Sequence, residues 1–129
     1  MKVLIIGGVA AGTKVAAKLK RENWDYDVTI LTESKDISYA GCGLPYYVGN
    51  VIHEESELIV NTPESFMALT GANVLTETKV TKVNPKENTV EALDLKTNET
   101  NTYKYDKLII ASGAQPIKPP LEGIDLDGV

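Results

Sequence analysis

The sequence predicts an α/β fold: a parallel sheet with helices on one face and a three-stranded antiparallel meander on the other. Three observations predict it. Apolar runs, Val3-Leu4-Ile5-Ile6 near the start and Leu108-Ile109-Ile110-Ala111 late in the chain, are too short for helices and suit strands buried on both faces. The first run passes through glycines straight into a helix-forming stretch. Between positions 76 and 105 the pattern changes to the alternation of a half-covered antiparallel sheet.

After Ile6 the chain reads Gly7-Gly8-Val9-Ala10-Ala11-Gly12-Thr13. Lys14-Val15-Ala16-Ala17-Lys18-Leu19-Lys20-Arg21 then supplies strong helix formers with Val15, Ala16 and Leu19 on one side. A helix is expected from about Ala11 to Glu22, ending in the polar stretch Asn23-Trp24-Asp25-Tyr26, with Ala16 and Ala17 letting it lie close on the sheet. Strand, glycine turn and helix in this order aim free backbone N–H groups and the positive helix end at a phosphate. The spacing departs from G-x-G-x-x-G once: Gly7 and Gly12 fit the outer positions, and Val9 stands at the middle one. Such a turn between a core strand and a core helix also occurs for purely structural reasons. The next strand, Val28-Thr29-Ile30-Leu31-Thr32, decides between them. It ends in Glu33, about twenty residues past the glycines, where a carboxylate accepts hydrogen bonds from a ribose. Together the two features predict a dinucleotide site.

Lys14, Lys18 and Arg21 fall at i, i+4 and i+7 and set three cations along one helix face, which from the residues alone reads as a solvated face rather than a ligand site. After Ser34-Lys35-Asp36-Ile37 comes Ser38-Tyr39-Ala40-Gly41-Cys42-Gly43-Leu44-Pro45-Tyr46-Tyr47, a cysteine between two glycines with three tyrosines nearby. Small neighbours leave its sulfur open to a flat ligand, and a following helical turn would lower its pKa through the N-terminal dipole. The other reading is a small buried hydrophobe.

Thr62-Pro63-Glu64 reads as an N-cap, a proline at the first helical position and an acid in the first turn, with Gly71 as the stop. Ala72-Asn73-Val74-Leu75 gives a short strand. The meander follows: Thr78-Lys79-Val80-Thr81-Lys82-Val83, a turn at 84–88, Thr89-Val90-Glu91-Ala92-Leu93-Asp94-Leu95, a turn at 96–99, and Thr100-Asn101-Thr102-Tyr103-Lys104-Tyr105. Lys107-Leu108-Ile109-Ile110-Ala111 is the last strand. Its Ser112-Gly113-Ala114 lies at a carboxyl end, where open α/β sheets bind ligands. The proline-rich tail reads as a linker, so one domain is expected over 1–115 and a linker over 116–129.

At 129 residues there is room for one core. A net charge of −5 and a pI near 4.9 argue against nucleic acid or an anionic membrane as partner. No apolar run approaches a membrane span, and because a strand begins directly no signal peptide is expected. Cys42 is the only cysteine, which rules out an internal disulfide and fits a reducing cytoplasm; with His53 the only histidine, no His/Cys metal cluster is expected.

The glycine turn, Glu33, Ser-Tyr-Ala-Gly-Cys-Gly-Leu-Pro-Tyr-Tyr, the meander and Lys-Leu-Ile-Ile-Ala-Ser-Gly-Ala, in that order, resemble the N-terminal FAD-binding part of the pyridine nucleotide–disulfide oxidoreductases. The resemblance covers the whole chain. It is nearest to the single-cysteine branch of coenzyme A–disulfide reductase, NADH oxidase and NADH peroxidase. Gly-Gly-Val-Ala-Ala-Gly and Cys-Gly-Leu-Pro-Tyr-Tyr point to the first of these. The resemblance implies a Rossmann-like FAD/NAD(P)-binding three-layer fold, with FAD held by Gly7, Gly8, Val9, Ala10, Ala11 and Gly12 at the diphosphate and Glu33 at the ribose. Val80 would meet the adenine through its backbone, Ala111, Ser112 and Gly113 would line the same cofactor, and Cys42 would stand beside the flavin as the catalytic sulfur. Lys14, Lys18, Arg21 and Ser38 become a coenzyme A site. Gly41 stands where some relatives have Asn, which removes one polar contact to that substrate.

A lone cysteine cannot close its own disulfide. One route is a mixed disulfide of Cys42 with coenzyme A, re-formed when the thiolate attacks the next coenzyme A disulfide; the other is a sulfenic acid made by peroxide. The first is the expectation, with NADH oxidase or peroxidase, persulfide or polysulfide reduction, and a non-redox nucleotide module as alternatives. The resemblance also implies NAD(P)H bound by a domain absent from this chain, a homodimeric full-length protein, and a fragment that is inactive alone. Strand 107–111 would then present an open edge through which the fragment self-associates.

Overall fold

The computed structural model describes residues 1–115 and 117–127. In chain order the elements are β1 (Lys2–Ile6), α1 (Ala11–Glu22), β2 (Asp27–Leu31), α2 (Leu44–Val48), α3 (Pro63–Thr70), β3 (Asn73–Leu75), β4 (Thr78–Asn84), β5 (Thr89–Asp94), β6 (Thr100–Lys104) and β7 (Lys107–Ile110). Short 3-10 turns stand at Gly41–Gly43 and Glu55–Leu58. Each expected strand and helix is present, with ends displaced by no more than a residue or so.

Strands β3, β2, β1 and β7 form a parallel sheet in that order, with Ile5 opposite Ile30 on one side and Ile109 on the other. Alternate residues of the central strands serve two cores, as a period of two requires. Val3, Ile5, Val28 and Ile30 meet the helical side, where Ala16 of α1 and Phe66 of α3 close the packing. Leu4 and Leu31 point the other way, against Val90 and Ala92 of β5. Strands buried on both faces therefore read as unbroken apolar runs. The result is the expected three-layer α/β arrangement.

Helix α1 carries no side-chain cap at its start; the Thr13 hydroxyl instead donates to the Val9 carbonyl at 2.6 Å. At its other end Lys20 is buried, with Nζ donating to the carbonyls of Trp24 and Tyr26 (2.9 Å for Tyr26) and lying 4.8 Å from the Trp24 ring centroid. In α3 the Thr62 hydroxyl accepts the Ser65 amide and Gly71 closes the helix at φ 71°.

The meander pairs β4 with β5 and β5 with β6, all antiparallel. Its register shifts between Val80 and Lys82, where Thr81 is an extra residue. That bulge breaks the strict alternation and turns Val83, not Lys82, toward the core with Val80.

Strand β7 stands at the sheet edge, and Ile110 is 66% exposed. Of the expected linker, positions 116, 128 and 129 lie outside the described residues, and 121–127 form successive turns closed by bonds such as Leu126 N–H to the Gly123 carbonyl. Among the described residues no helix is long and apolar enough to cross a membrane.

Candidate functional site

The carboxyl ends of β1, β2 and β7 meet at a cavity of about 290 Å³, roofed by the first residues of β4. Gly7 leaves β1 at φ 104°, and its amide donates to the Leu31 carbonyl at 2.8 Å. A Cβ at Gly7 would overlap the Ala111 carbonyl oxygen, and one at Gly12 would overlap the carbonyl oxygen of Gly7. These backbone contacts explain why the two outer positions are glycine: loop, helix and strand end approach one another main chain to main chain. Val9, at the middle position, is exposed and lines the cavity.

Ser34 and Thr32 join Glu33 on the β2 side, Thr78 and Val80 on the β4 side, and Ser112 with Gly113 on the β7 side. Among the described residues Glu33 is the one charged side chain lining the cavity, and its Oε1 lies 2.9 Å from Lys79 Nζ. An anion here would have to be met by backbone N–H groups and the open start of α1, which is how diphosphates are held at such turns. A carboxylate at the end of the second strand suits a hydroxyl donor such as a ribose. The cavity lies near the lower end of small-molecule sites in volume. The donors, the carboxylate and the Cβ-free loop fit FAD.

Cys42 sits in the 3-10 turn directly before α2 and is exposed. Pro45 occupies the first turn of α2, as suits a residue without an N–H. Three hydrogen bonds tie this turn down: the Ala40 amide donates to the Leu58 carbonyl at 2.7 Å and the Val60 amide to the Ser38 carbonyl at 3.2 Å, which together bridge Tyr39 to Ile59, and the Ser38 amide donates to the Gly8 carbonyl at 3.0 Å. Ser38 takes φ 52° to do so.

The structure brings Gly7, Gly8, Val9, Glu33, Val80, Ala111, Ser112 and Gly113 together around one cavity. Ala10 and Ala11 are exposed at the start of α1, Gly12 is buried beneath the loop, and Ser38 and Cys42 lie outside the cavity lining on the adjoining segment. Lys14, Lys18 and Arg21 are exposed on α1; Lys18 pairs with Glu22, and Arg21 borders a separate cavity of about 230 Å³ beside Trp24 and Leu69. Sequence reasoning missed Thr78 and Lys79. Thr78 shares the inward parity of Val80 and could have been found from it, whereas the Lys79–Glu33 pair spans 46 positions and leaves no local signal.

A family model described as pyridine nucleotide-disulphide oxidoreductase matches residues 1–129. An NADH oxidase of Methanocaldococcus jannaschii is 38% identical over 129 residues, which is 100% of this chain and 29% of the relative. A coenzyme A disulfide reductase of Staphylococcus haemolyticus is 36% identical over 113 residues, 88% of this chain and 26% of the relative. The solved structure of an NAD-dependent persulfide reductase from A. fulgidus superimposes with a TM-score of 0.91 at 40% identity, covering 99% of this chain and 24% of that one. The chain thus spans under a third of the length of each protein compared.

Proposed function

The chain belongs to the pyridine nucleotide-disulphide oxidoreductase family, and from that premise we propose that it is the FAD-binding part of an NAD(P)H-dependent enzyme that reduces coenzyme A disulfide, or a related disulfide, through Cys42. Residues 1–115 are the FAD-binding unit in this proposal, and 116–129 lead toward an NAD(P)H-binding domain. The observation that carries it is the tether between the two halves of the site: the segment bearing Cys42 is bonded through Ser38 to the loop that fits a diphosphate.

Gly7, Gly8 and the start of α1 would hold the diphosphate, Glu33 the adenosine ribose, and the Val80 backbone the adenine, with Ala111, Ser112 and Gly113 closing the opposite wall. Bound there, FAD supplies two-electron exchange between NAD(P)H and sulfur. The rest falls to the chain's own residues. The Cys42 thiolate attacks one sulfur of the substrate disulfide; that S–S bond breaks, one thiolate leaves, and Cys42 is left in a mixed disulfide with the other half. Two electrons, drawn from NAD(P)H, would then cleave the mixed disulfide, releasing the second half of the substrate as a thiolate and restoring the Cys42 thiolate. Lys14, Lys18 and Arg21 offer positive charge to the phosphates of coenzyme A, and Ser38 a hydroxyl close to the sulfur in sequence. NADH oxidase or peroxidase chemistry through a Cys42 sulfenic acid is the competing reading, and the likeness to an NADH oxidase supports its oxidase form.

The test uses the whole polypeptide that carries this chain. Flavin absorbance bleached by NADH or NADPH without oxygen is expected, with mass spectrometry finding coenzyme A on Cys42 as purified. Parallel assays with coenzyme A disulfide, peroxide, oxygen and polysulfide rank the acceptors. A colourless protein excludes the redox reading, and turnover of peroxide alone with a bare or sulfenylated Cys42 excludes the disulfide.

A further inference from the structure

We propose that Lys79 is a positioning residue of the nucleotide cavity, holding the Glu33 carboxylate in the orientation that receives the ribose hydroxyls; the proposal rests on the FAD reading above. Lys79 Nζ lies 2.9 Å from Glu33 Oε1. Both partners stand on secured backbone. The Thr32 amide donates to the Leu75 carbonyl at 3.0 Å, the Thr78 amide to the Thr32 carbonyl at 2.8 Å, and the Glu77 amide to the Ser34 carbonyl at 3.2 Å. The ion pair therefore spans the joint where the end of β2 meets the start of β4, and residues from both sides of that joint line the cavity.

The geometry of the carboxylate gives the lysine its task. Alone on an exposed rim, a carboxylate turns freely among its rotamers. Lys79 occupies one direction on Oε1, which leaves Oε2 to accept hydroxyls. Side-chain order is thus in place before the ligand arrives, which reduces the entropic cost of binding. Lys79 and Glu33 are 49% and 60% exposed as side chains, so the effect is that of a surface pair.

The experiment titrates FAD, by flavin fluorescence, into the flavin-free form of the whole polypeptide carrying this chain. Variants are Lys79→Met, Lys79→Arg, Glu33→Ala and the Lys79→Met/Glu33→Ala double variant, with thermal midpoints as a check on folding. Lys79→Met is expected to weaken FAD about two- to fivefold, Lys79→Arg to restore most of the loss, and Lys79→Met to add nothing once Glu33 is alanine. Toward an FAD analogue built on 2′,3′-dideoxyadenosine, Lys79→Met and wild type should bind alike. A lysine that only braces the fold would weaken both ligands and keep its effect without Glu33. That outcome, or unchanged FAD affinity in Lys79→Met, overturns the proposal and leaves the FAD reading standing. FAD binding untouched by Glu33→Ala overturns the ribose assignment and this proposal with it, and a wild type without FAD affinity overturns the functional reading itself.

Discussion

The Ser38 amide donates to the Gly8 carbonyl at 3.0 Å, so the segment that carries Cys42 is suspended from the glycine loop. Gly8 has little room. A Cβ there would come within 3.0 Å of Ile37 Cγ2 and 3.2 Å of Thr32 Cβ, both on buried residues. Gly8→Ala should therefore destabilise the fold by about 1–3 kcal/mol, the usual cost of overpacking. It should also speed amide exchange at Ser38, because the push on Ile37 is transmitted to its neighbour. Urea unfolding and hydrogen exchange check the two parts separately; lost stability with unchanged exchange at Ser38 would uncouple the loop from the tether.

Two further glycines should respond very unequally. A Cβ on Gly12 overlaps the Gly7 carbonyl oxygen and sits 3.2 Å from Ile5 Cγ2, and neither the backbone nor the core can yield cheaply. Alanine gains about 1 kcal/mol of helix propensity over glycine, yet the overlap outweighs it, and Gly12→Ala should lose at least about 2 kcal/mol net. Gly41, next to the cysteine, meets nothing within 4 Å and has no positive φ. Gly41→Ala should stay within about 0.5 kcal/mol of wild type. Equal losses at the two sites in chemical denaturation would refute this reading of the loop.

The parts of the fold legible in the sequence are those governed by local chemistry. Ile5 and Ile30 belong to apolar runs whose length and branching suit only a doubly buried strand, and Thr62 with Pro63 and Gly71 brackets α3 by rules that act within one turn. Side-chain pairings were not legible, whether near or far in sequence. The Lys20 ammonium reaches over Trp24 to bind two carbonyls, where the sequence shows only a helix ending in the polar stretch 23–26. Strict alternation counted from Val80 would put Lys82 on the inner side of β4. The extra residue Thr81 reverses that parity, and the one trace of it in sequence was the odd spacing from Val80 to Val83. In the site, Gly7, Glu33 and Ser112 were visible because each follows a strand end, while Lys79 enters only through its partner across the joint.

Among the described residues strand β7 pairs with β1 on one side only, and Ile110 is exposed at that edge. Such an edge offers unpaired backbone groups and an apolar surface to another copy. The 129-residue chain produced by itself should accordingly associate with rising concentration, and Ile110→Lys should shift it toward monomer. Sedimentation velocity across a concentration series tests this. A wild-type chain that stays monomeric throughout would show the edge to be innocuous.

The pH dependence of stability follows from groups held in the turns. Asp94 Oδ1 accepts the amides of Thr97 at 3.1 Å and Lys96 at 2.8 Å, and these bonds keep its carboxyl below the usual range. Glu57 is held down by the amides of Glu54 and His53 at the start of the second 3-10 turn. For a lowered carboxyl, the unfolded chain binds protons first as pH falls. Its stabilising contribution is therefore complete above the ordinary values of about 3.9 for Asp and 4.3 for Glu, and disappears as pH drops through the folded values. At the alkaline end the signs reverse. Glu77, 2.8 Å away, raises Lys96, and burial raises the Tyr103 phenol, so both keep their protons longer folded than unfolded. Their contribution is present below the ordinary values of about 10.4 and 10 and is lost as pH climbs through the folded ones. Urea midpoints should be level near neutrality, fall below about pH 4, and fall again above about pH 10. Asp94→Asn keeps an oxygen for the two amides but has no proton to gain, so its acid limb should be shallower than that of wild type. If the two acid limbs coincide, the turn at Asp94 is not a source of the acid sensitivity.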